Sequence, residues 1–267
     1  AHSMIGDATD LRRPGRDGQR PDRRSGQHRR VAEHPARPDD LVRTIGLVIG
    51  RVPQFDLAGY DNGELLDGCS LYPGSGFAIL RDRLAPDALP PVDGVGLTMT
   101  YGPYGGGHGH PDKLSVVLYA DGKQWVPDFG SCAYESAEKA QWTAHTVSHN
   151  TVVVDGISQY PAGEEDKGWP ADSFSRRAIG ELEWFHADDL VKAAQAYCDS
   201  VYEGVELRRL SAIVGDHVLD FFQLHSVQEH VYDYPLHIAG ELAQSSVPLE
   251  AREGAMGPKC GYQHIAN

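Results

Sequence analysis

The chain has 267 residues, with 24 Lys+Arg against 38 Asp+Glu, a net charge of −14, 40 % hydrophobic residues and 30 glycines. This balance does not favour a surface for nucleic acid or anionic membranes, and it works against long-range attraction of an acidic polysaccharide. No apolar run reaches the roughly 18 residues of a transmembrane helix, and Cys69, Cys132, Cys198 and Cys260 form no CxxC pair, which excludes a zinc ribbon or thioredoxin-like motif and leaves disulfides open.

The length allows one or two domains. Residues 1–40 hold nine arginines and no lysine among many Gly, Pro, Asp and Gln. Too few apolar groups are present to offset the entropy of ordering, so a disordered or non-native basic arm is expected there. An anion-binding arm is the alternative. No apolar core of a secretion signal stands in the first 30 residues. Leu41 to Gly50 is a short apolar segment, helix or strand. Residues 53–74 read as turn-rich, Gly76 to Arg83 as a strand, 84–94 as a proline-rich loop, and Val95 to Tyr101 as another strand.

Tyr101 to Gly156 organises the rest. A Gly-rich loop carries His108 and His110, a strand follows from Leu114 to Tyr119, and Asp121-Gly122 turns the chain into a second strand that runs to Asp128. His149 comes directly before Thr151 to Val154, which ends in Asp155-Gly156. Asp-Gly between β-type runs signals a tight hairpin, because both turn residues must accept positive φ. Folding the chain at Asp121-Gly122 brings His110 and Asp128 to the open end of one hairpin, with His149 at the start of its own strand. Two imidazoles and a carboxylate are a common zinc set. The same residues also suit a hydrogen-bonded loop without metal.

Beyond Asp155 an acidic, Gly- and Pro-rich loop runs to Pro170. Leu190 to Tyr197 reads as strand or helix, and Val205 to Val214, Val218 to Leu224 and Tyr232 to Ala239 read as strands. Arg208 and Arg209 read as charges on a strand surface, and residues after about 245 lose the pattern. Short strands at this spacing predict an all-β fold, an antiparallel sandwich over 41–245 with a loose tail over 246–267.

His110-Pro111-Asp112, Gly122, Asp128-Phe129-Gly130 and His149-Asn150-Thr151 occur in an order that resembles the C-terminal β-sandwich of the heparinase II/III-like polysaccharide lyases. GGGHGHPDKLS is most similar to the oligoalginate and exo-uronate lyase branch. Ser75 to Arg81 resembles the strand that opens that domain, and His230-Val231-Tyr232-Asp233 with His237 resembles a later segment, so the likeness runs from about Leu65 to Gly240. It implies that His110, Asp128 and His149 hold Zn2+ or another divalent metal, with Asp112 fixing the loop. It implies that His108 faces the substrate and helps neutralise its carboxylate, and that Tyr134 lines the cleft for acid/base work. Lys113, next to the motif, could meet an acidic sugar, or could be a solvated lysine. Family members precede the sandwich with an α-helical toroid that completes the site, and this chain has neither the length nor the helical periodicity for one.

The chemistry expected is β-elimination. The uronate carboxylate must be neutralised so that its neighbouring proton can leave. A base takes that proton, and an acid protonates the departing oxygen. The expected partner is an acidic polysaccharide or oligosaccharide such as alginate or a glycosaminoglycan, with no nucleic acid and no membrane, and the resemblance favours a periplasmic or secreted compartment over the cytoplasm. The alternatives are a non-catalytic carbohydrate-binding sandwich and a metal-stabilised structural domain.

Overall fold

The structure, a computed structural model, describes residues 2–3, 41–45, 65–66, 68–82, 94–104, 108–120, 122–130, 132–133, 135–160, 178–215, 217–241, 248, 253–258 and 260–265. In chain order the described strands are β1 (His2–Ser3), β2 (Leu41–Ile45), β3 (Leu65–Leu66), β4 (Cys69–Tyr72), β5 (Phe77–Asp82), β6 (Val95–Thr100), β7 (Ser115–Ala120), β8 (Lys123–Val126), β9 (Val153–Val154), β10 (Glu181–Ala187), β11 (Val191–Cys198), β12 (Val205–Val214), β13 (His217–Ser226), β14 (Tyr232–Asp233) and β15 (His237–Ile238). The expected all-β, antiparallel fold is what forms.

One sheet is a meander of six strands, β3-β4-β5-β6-β7-β8, and the other has the order β10-β11-β12-β13-β2. Two small pairs, β9 with β14 and β1 with β15, lie beside them. The alternation that predicted the strands now has a physical meaning. On β6 the buried residues are Val95, Leu97 and Met99, while Gly96, Thr98 and Thr100 are half-buried. With side-chain period two, one face of each strand is apolar. Leu71, Ala78, Leu80, Leu97 and Met99 from the first sheet share a core with Ala194, Ala196, Leu207, Ile213, Phe222 and Leu224 from the second. Each such leucine or phenylalanine contributes about 1.5–3 kcal/mol by leaving water.

Turn chemistry sets the hairpins. Asp155 and Gly156 both take positive φ, 54° and 67°, in the geometry that suits the right-handed twist of the flanking strands. Ala120 pairs with Lys123 across the other expected turn, whose Asp121 lies outside the described residues. Gly76 and Gly102 cross so closely that a Cβ on Gly76 would sit 1.8 Å from the Gly102 Cα. Only glycine permits that approach, and it fixes where β6 runs into the loop that carries His108 and His110.

Several expectations change. Residues 69–72, inside the stretch read as turn-rich, form β4, with Cys69, Ser70 and Leu71 buried. Glu181–Ala187 is a strand that the sequence reading did not single out. Tyr232 to Ala239 is two short strands, because Pro235 has no N–H to give a ladder between them. Of the basic arm, residues 4–40 lie outside the described residues, while His2–Ser3 pairs with β15. The tail is not loose throughout, since Tyr262 is buried against Val147 and Val153, and its hydroxyl donates to Asp233. Cys69, Cys132, Cys198 and Cys260 form no disulfide. Among the described residues no helix is long and apolar enough to cross a membrane.

Candidate functional site

Three segments meet at one edge of the sandwich. They are the loop 108–114 between β6 and β7, the turn Asp128-Phe129-Gly130 after β8, and residues 143–151, which lead from a short helical turn (Lys139–Thr143) into β9. Each delivers one of the expected metal ligands.

His149 is the centre, with only 1 % of its surface exposed. Its Nδ1–H donates to Asp128 Oδ2 at 2.7 Å, while Asp128 Oδ1 accepts the Gly130 N–H at 2.8 Å. Gly130 reaches back this way because its φ is +66°, so the Asp-Phe-Gly turn is what aims the carboxylate. The His110 ring stands edge-on to His149, with centroids 5.2 Å apart and planes at 65°. The charges are sorted by environment. Burial pulls the His149 imidazole down, but the hydrogen bond and charge of Asp128 outweigh it and hold the ring above its ordinary value. Burial pushes Asp128 up, and the same pair pulls it below the usual carboxylate range. His110 is lowered, first by burial and then by the positive His149. Burial and the neighbouring charges thus push the two imidazoles in opposite directions, His149 up and His110 down.

Neighbouring side chains satisfy the backbone of the first loop. Thr146 Oγ1 donates to Pro111 O at 2.8 Å, and Thr151 Oγ1 to Lys113 O at 2.7 Å. Gln159 accepts the Lys113 N–H at 2.7 Å and returns Nε2–H to the Lys113 carbonyl at 3.1 Å. Asn150, next to His149, spans the rest. Its Nδ2 donates to Val116 O at 3.0 Å and Pro127 O at 2.9 Å, and its Oδ1 accepts the His237 N–H at 2.8 Å. The His-Asn-Thr segment is therefore a clamp between β7, the end of β8 and β15. Leu114 closes the loop at φ +63°, a conformation that costs a bulky L-residue about 1 kcal/mol and persists only when its surroundings enforce it.

The other predicted residues sort as follows. His108 is exposed at the loop. Asp112 fixes the loop by accepting the Lys113 ammonium at 2.8 Å. Lys113 is a correction: it is 2 % exposed and its charge is held by Asp112, so it is neither a solvated lysine nor a group offered to a sugar. Tyr134 lies outside the described residues. His230 donates to Asp155 at 2.7 Å, which ties the β9 turn to the approach to β14 and makes this later segment structural.

Sequence reasoning missed Arg209. It is fully buried, and its guanidinium donates to Asp220 twice, to the Tyr234 hydroxyl, and to the carbonyls of Leu114 and Asn150. The signal was present in the alternation. Val205, Leu207, Ser211 and Ile213 are buried on β12, and Arg209 shares their register, whereas Arg208 faces out to Glu183 at 2.7 Å.

As to a metal, no three His, Cys, Asp or Glu side chains converge as a bound ion would require among the described residues. The donor set and its outer contacts nevertheless fit one. Nδ1 of His149 donates to Oδ2 of Asp128, and an imidazole nitrogen and a carboxylate oxygen are both donor types that zinc takes. The Thr143 carbonyl is near enough to raise the His149 pKa, although His149 Nε2 has no acceptor at hydrogen-bond geometry. A carbonyl behind a metal-binding imidazole is the usual second support for such a ligand.

Comparison with known proteins gives the family of this chain. The sequence profile of the family described as "Heparinase II/III-like, C-terminal" matches residues 67–221. An alginate lyase of Stenotrophomonas maltophilia (strain K279a) is 30 % identical over 180 residues, 60 % of this chain and 23 % of that protein. An exo-oligoalginate lyase of Saccharophagus degradans (strain 2-40) is 27 % identical over 180 residues with the same coverage. The chain thus spans about a quarter of the length of these relatives. Among solved structures, a heparan sulfate lyase HepC mutant from Pedobacter heparinus is 16 % identical, with a TM-score of 0.44 over 57 % of this chain and 21 % of that one.

Proposed function

The chain belongs to the heparinase II/III-like family by its C-terminal domain, and on that premise we propose that it is the β-sandwich part of a lyase that cleaves uronate-containing polysaccharides by β-elimination. The observation that carries this reading is His149, hydrogen-bonded to Asp128 at 2.7 Å and edge-on to the His110 ring at 5.2 Å, with His108 exposed on the same loop.

In this reading His110, Asp128 and His149 hold a divalent cation, zinc by donor chemistry, which supplies a fixed positive charge that orders the site. His108 donates a hydrogen bond or charge to the uronate carboxylate. That makes the neighbouring carbon acid easier to deprotonate and stabilises the enolate-like intermediate. Tyr134 is proposed for proton transfer. Asp112 acts indirectly, by keeping Lys113 inside the loop that presents His108 and His110. Alginate oligomers are the first substrates to try, because the curated relatives are alginate lyases, and glycosaminoglycans follow. The remaining groups of the site are proposed to come from an α-helical toroid, and the compartment to be periplasmic or extracellular, where such polymers are met.

The test offers alginate oligomers, heparin, chondroitin and hyaluronan and follows the ultraviolet absorbance of the unsaturated uronate product. Absorbance should rise with at least one polymer when the chain is joined to an α-helical toroid domain, and His108→Ala should lower the rate at least about a hundredfold. Affinity for these polymers without any rise would instead make the sandwich a binding module.

A further inference from the structure

We infer that Arg209 is a positioning residue, which sets the distance between the His110 loop and the His149 segment from inside the core. The inference rests on the reading of those two segments as the functional site. A guanidinium has five N–H donors in a rigid fork. Here all five have partners, and the partners come from four places in the chain. Nε and Nη2 donate to the two oxygens of Asp220 on β13 at 2.8 and 2.7 Å, and Nη2 also donates to the Tyr234 hydroxyl. Nη1 divides between Leu114 O, at 2.7 Å, and Asn150 O. Leu114 ends the loop that begins at His110, and Asn150 follows His149 directly.

One nitrogen therefore holds the two site segments at a fixed separation, and the other two nitrogens hold that nitrogen in place. Asp220 cannot shift, because it also accepts from Ser211 Oγ at 2.7 Å and from the Tyr234 hydroxyl. The guanidinium is packed as well, standing 5.3 Å from the Phe222 ring centre and 5.4 Å from that of Tyr234. The strained φ of Leu114 is the expected mark of a segment pulled to an external anchor. Apolar packing alone would have needed only a leucine on this face of β12. A lysine would keep the charge opposite Asp220, but a compact ammonium with three donors cannot hold a bidentate carboxylate and two carbonyls in one plane.

The experiment compares wild type with Arg209→Lys and Tyr234→Phe in the full chain. Proton NMR without metal reads the downfield His149 Nδ1–H that Asp128 accepts, and competition with a chelator reads the affinity for zinc alone. Arg209→Lys should shift or broaden the His149 proton and weaken zinc about tenfold or more. Tyr234→Phe, which leaves Nη1 with both carbonyls, should do the same to a smaller degree. If Arg209→Lys does not fold, Tyr234→Phe decides. Variants that lose thermal stability yet keep the His149 resonance and the zinc affinity of wild type would make Arg209 merely structural and overturn the inference. Should wild type itself bind no zinc, the metal part of the functional reading fails, and the His149 proton alone judges Arg209.

Discussion

Two parts of the interior are held by different physics. Between the sheets, Leu80, Leu97, Met99, Leu207, Phe222 and Leu224 form an apolar core, which meets the polar region where the Arg209 guanidinium stands 5.3 Å from the Phe222 ring. At the site edge Lys113, Thr146, Ser148, His149, Asn150, Thr151, Gln159 and Arg209 are buried and joined by hydrogen bonds or ion pairs, with His149 Nε2 left without an acceptor. Apolar packing rewards volume and tolerates repacking. A buried polar network has one arrangement in which every group is satisfied, and any other leaves an expensive orphan. The apolar part therefore supplies stability and the polar part supplies a fixed geometry, which is what a site for a cation and an acidic sugar requires.

Substitutions can separate the two. The largest effect is expected at Asn150→Ala, which strands the carbonyls of Val116 and Pro127 and the N–H of His237. Urea unfolding should lose about 3 kcal/mol or more, and zinc affinity should fall with it. Leu97→Ala should also cost about 2–5 kcal/mol by leaving a cavity, yet keep the His149 proton resonance and the zinc affinity of the remaining folded protein. If that cavity disturbs the site as strongly as Asn150→Ala does, the division between the two parts is wrong.

A smaller effect comes from pH. Burial lowers His145 and His237 below their ordinary value of 6.5. A group with a depressed folded pKa resists protonation in the folded state, so its stabilising contribution is complete above pH 6.5 and is lost as pH falls through the folded values. The imidazolium of His149 has the opposite sign, because its folded pKa is raised, and its contribution is complete below 6.5 and fades as pH rises through the folded value. The melting temperature should therefore pass through a maximum, with an acid limb that His237→Gln makes shallower. A flat profile across this range would mean that these rings are not held neutral by burial. The smallest effect is expected at Arg208→Ala, on the outer face of β12, where a half-exposed pair with Glu183 is lost: under about 1 kcal/mol, with no change at the site.

The sequence made the two parts legible to different degrees. The apolar sheets could be read from alternation, as on Val95 to Tyr101, and the Asp155-Gly156 turn from the φ it demands. β4 escaped because Cys69–Tyr72 is short and enclosed by Gly68 and Pro73, so local turn signals hid a strand whose burial comes from tertiary contacts. At the site the motif residues His110, Asp128 and His149 could be read, since the hairpin turn fixes which strand ends are neighbours. What could not be read was their support. Lys113 and Arg209 carry charges, and charge on a strand or loop ordinarily means solvent. Lys113 is held inside with its sequence neighbour Asp112, and Arg209 with Asp220, which strand pairing brings beside it.

The most direct test of the whole account is the metal content of the purified chain, measured beside that of His110→Ala. The account predicts about one zinc per chain in wild type and a large loss in the variant. Full zinc retained by His110→Ala, or none bound by wild type when zinc is supplied, would contradict it.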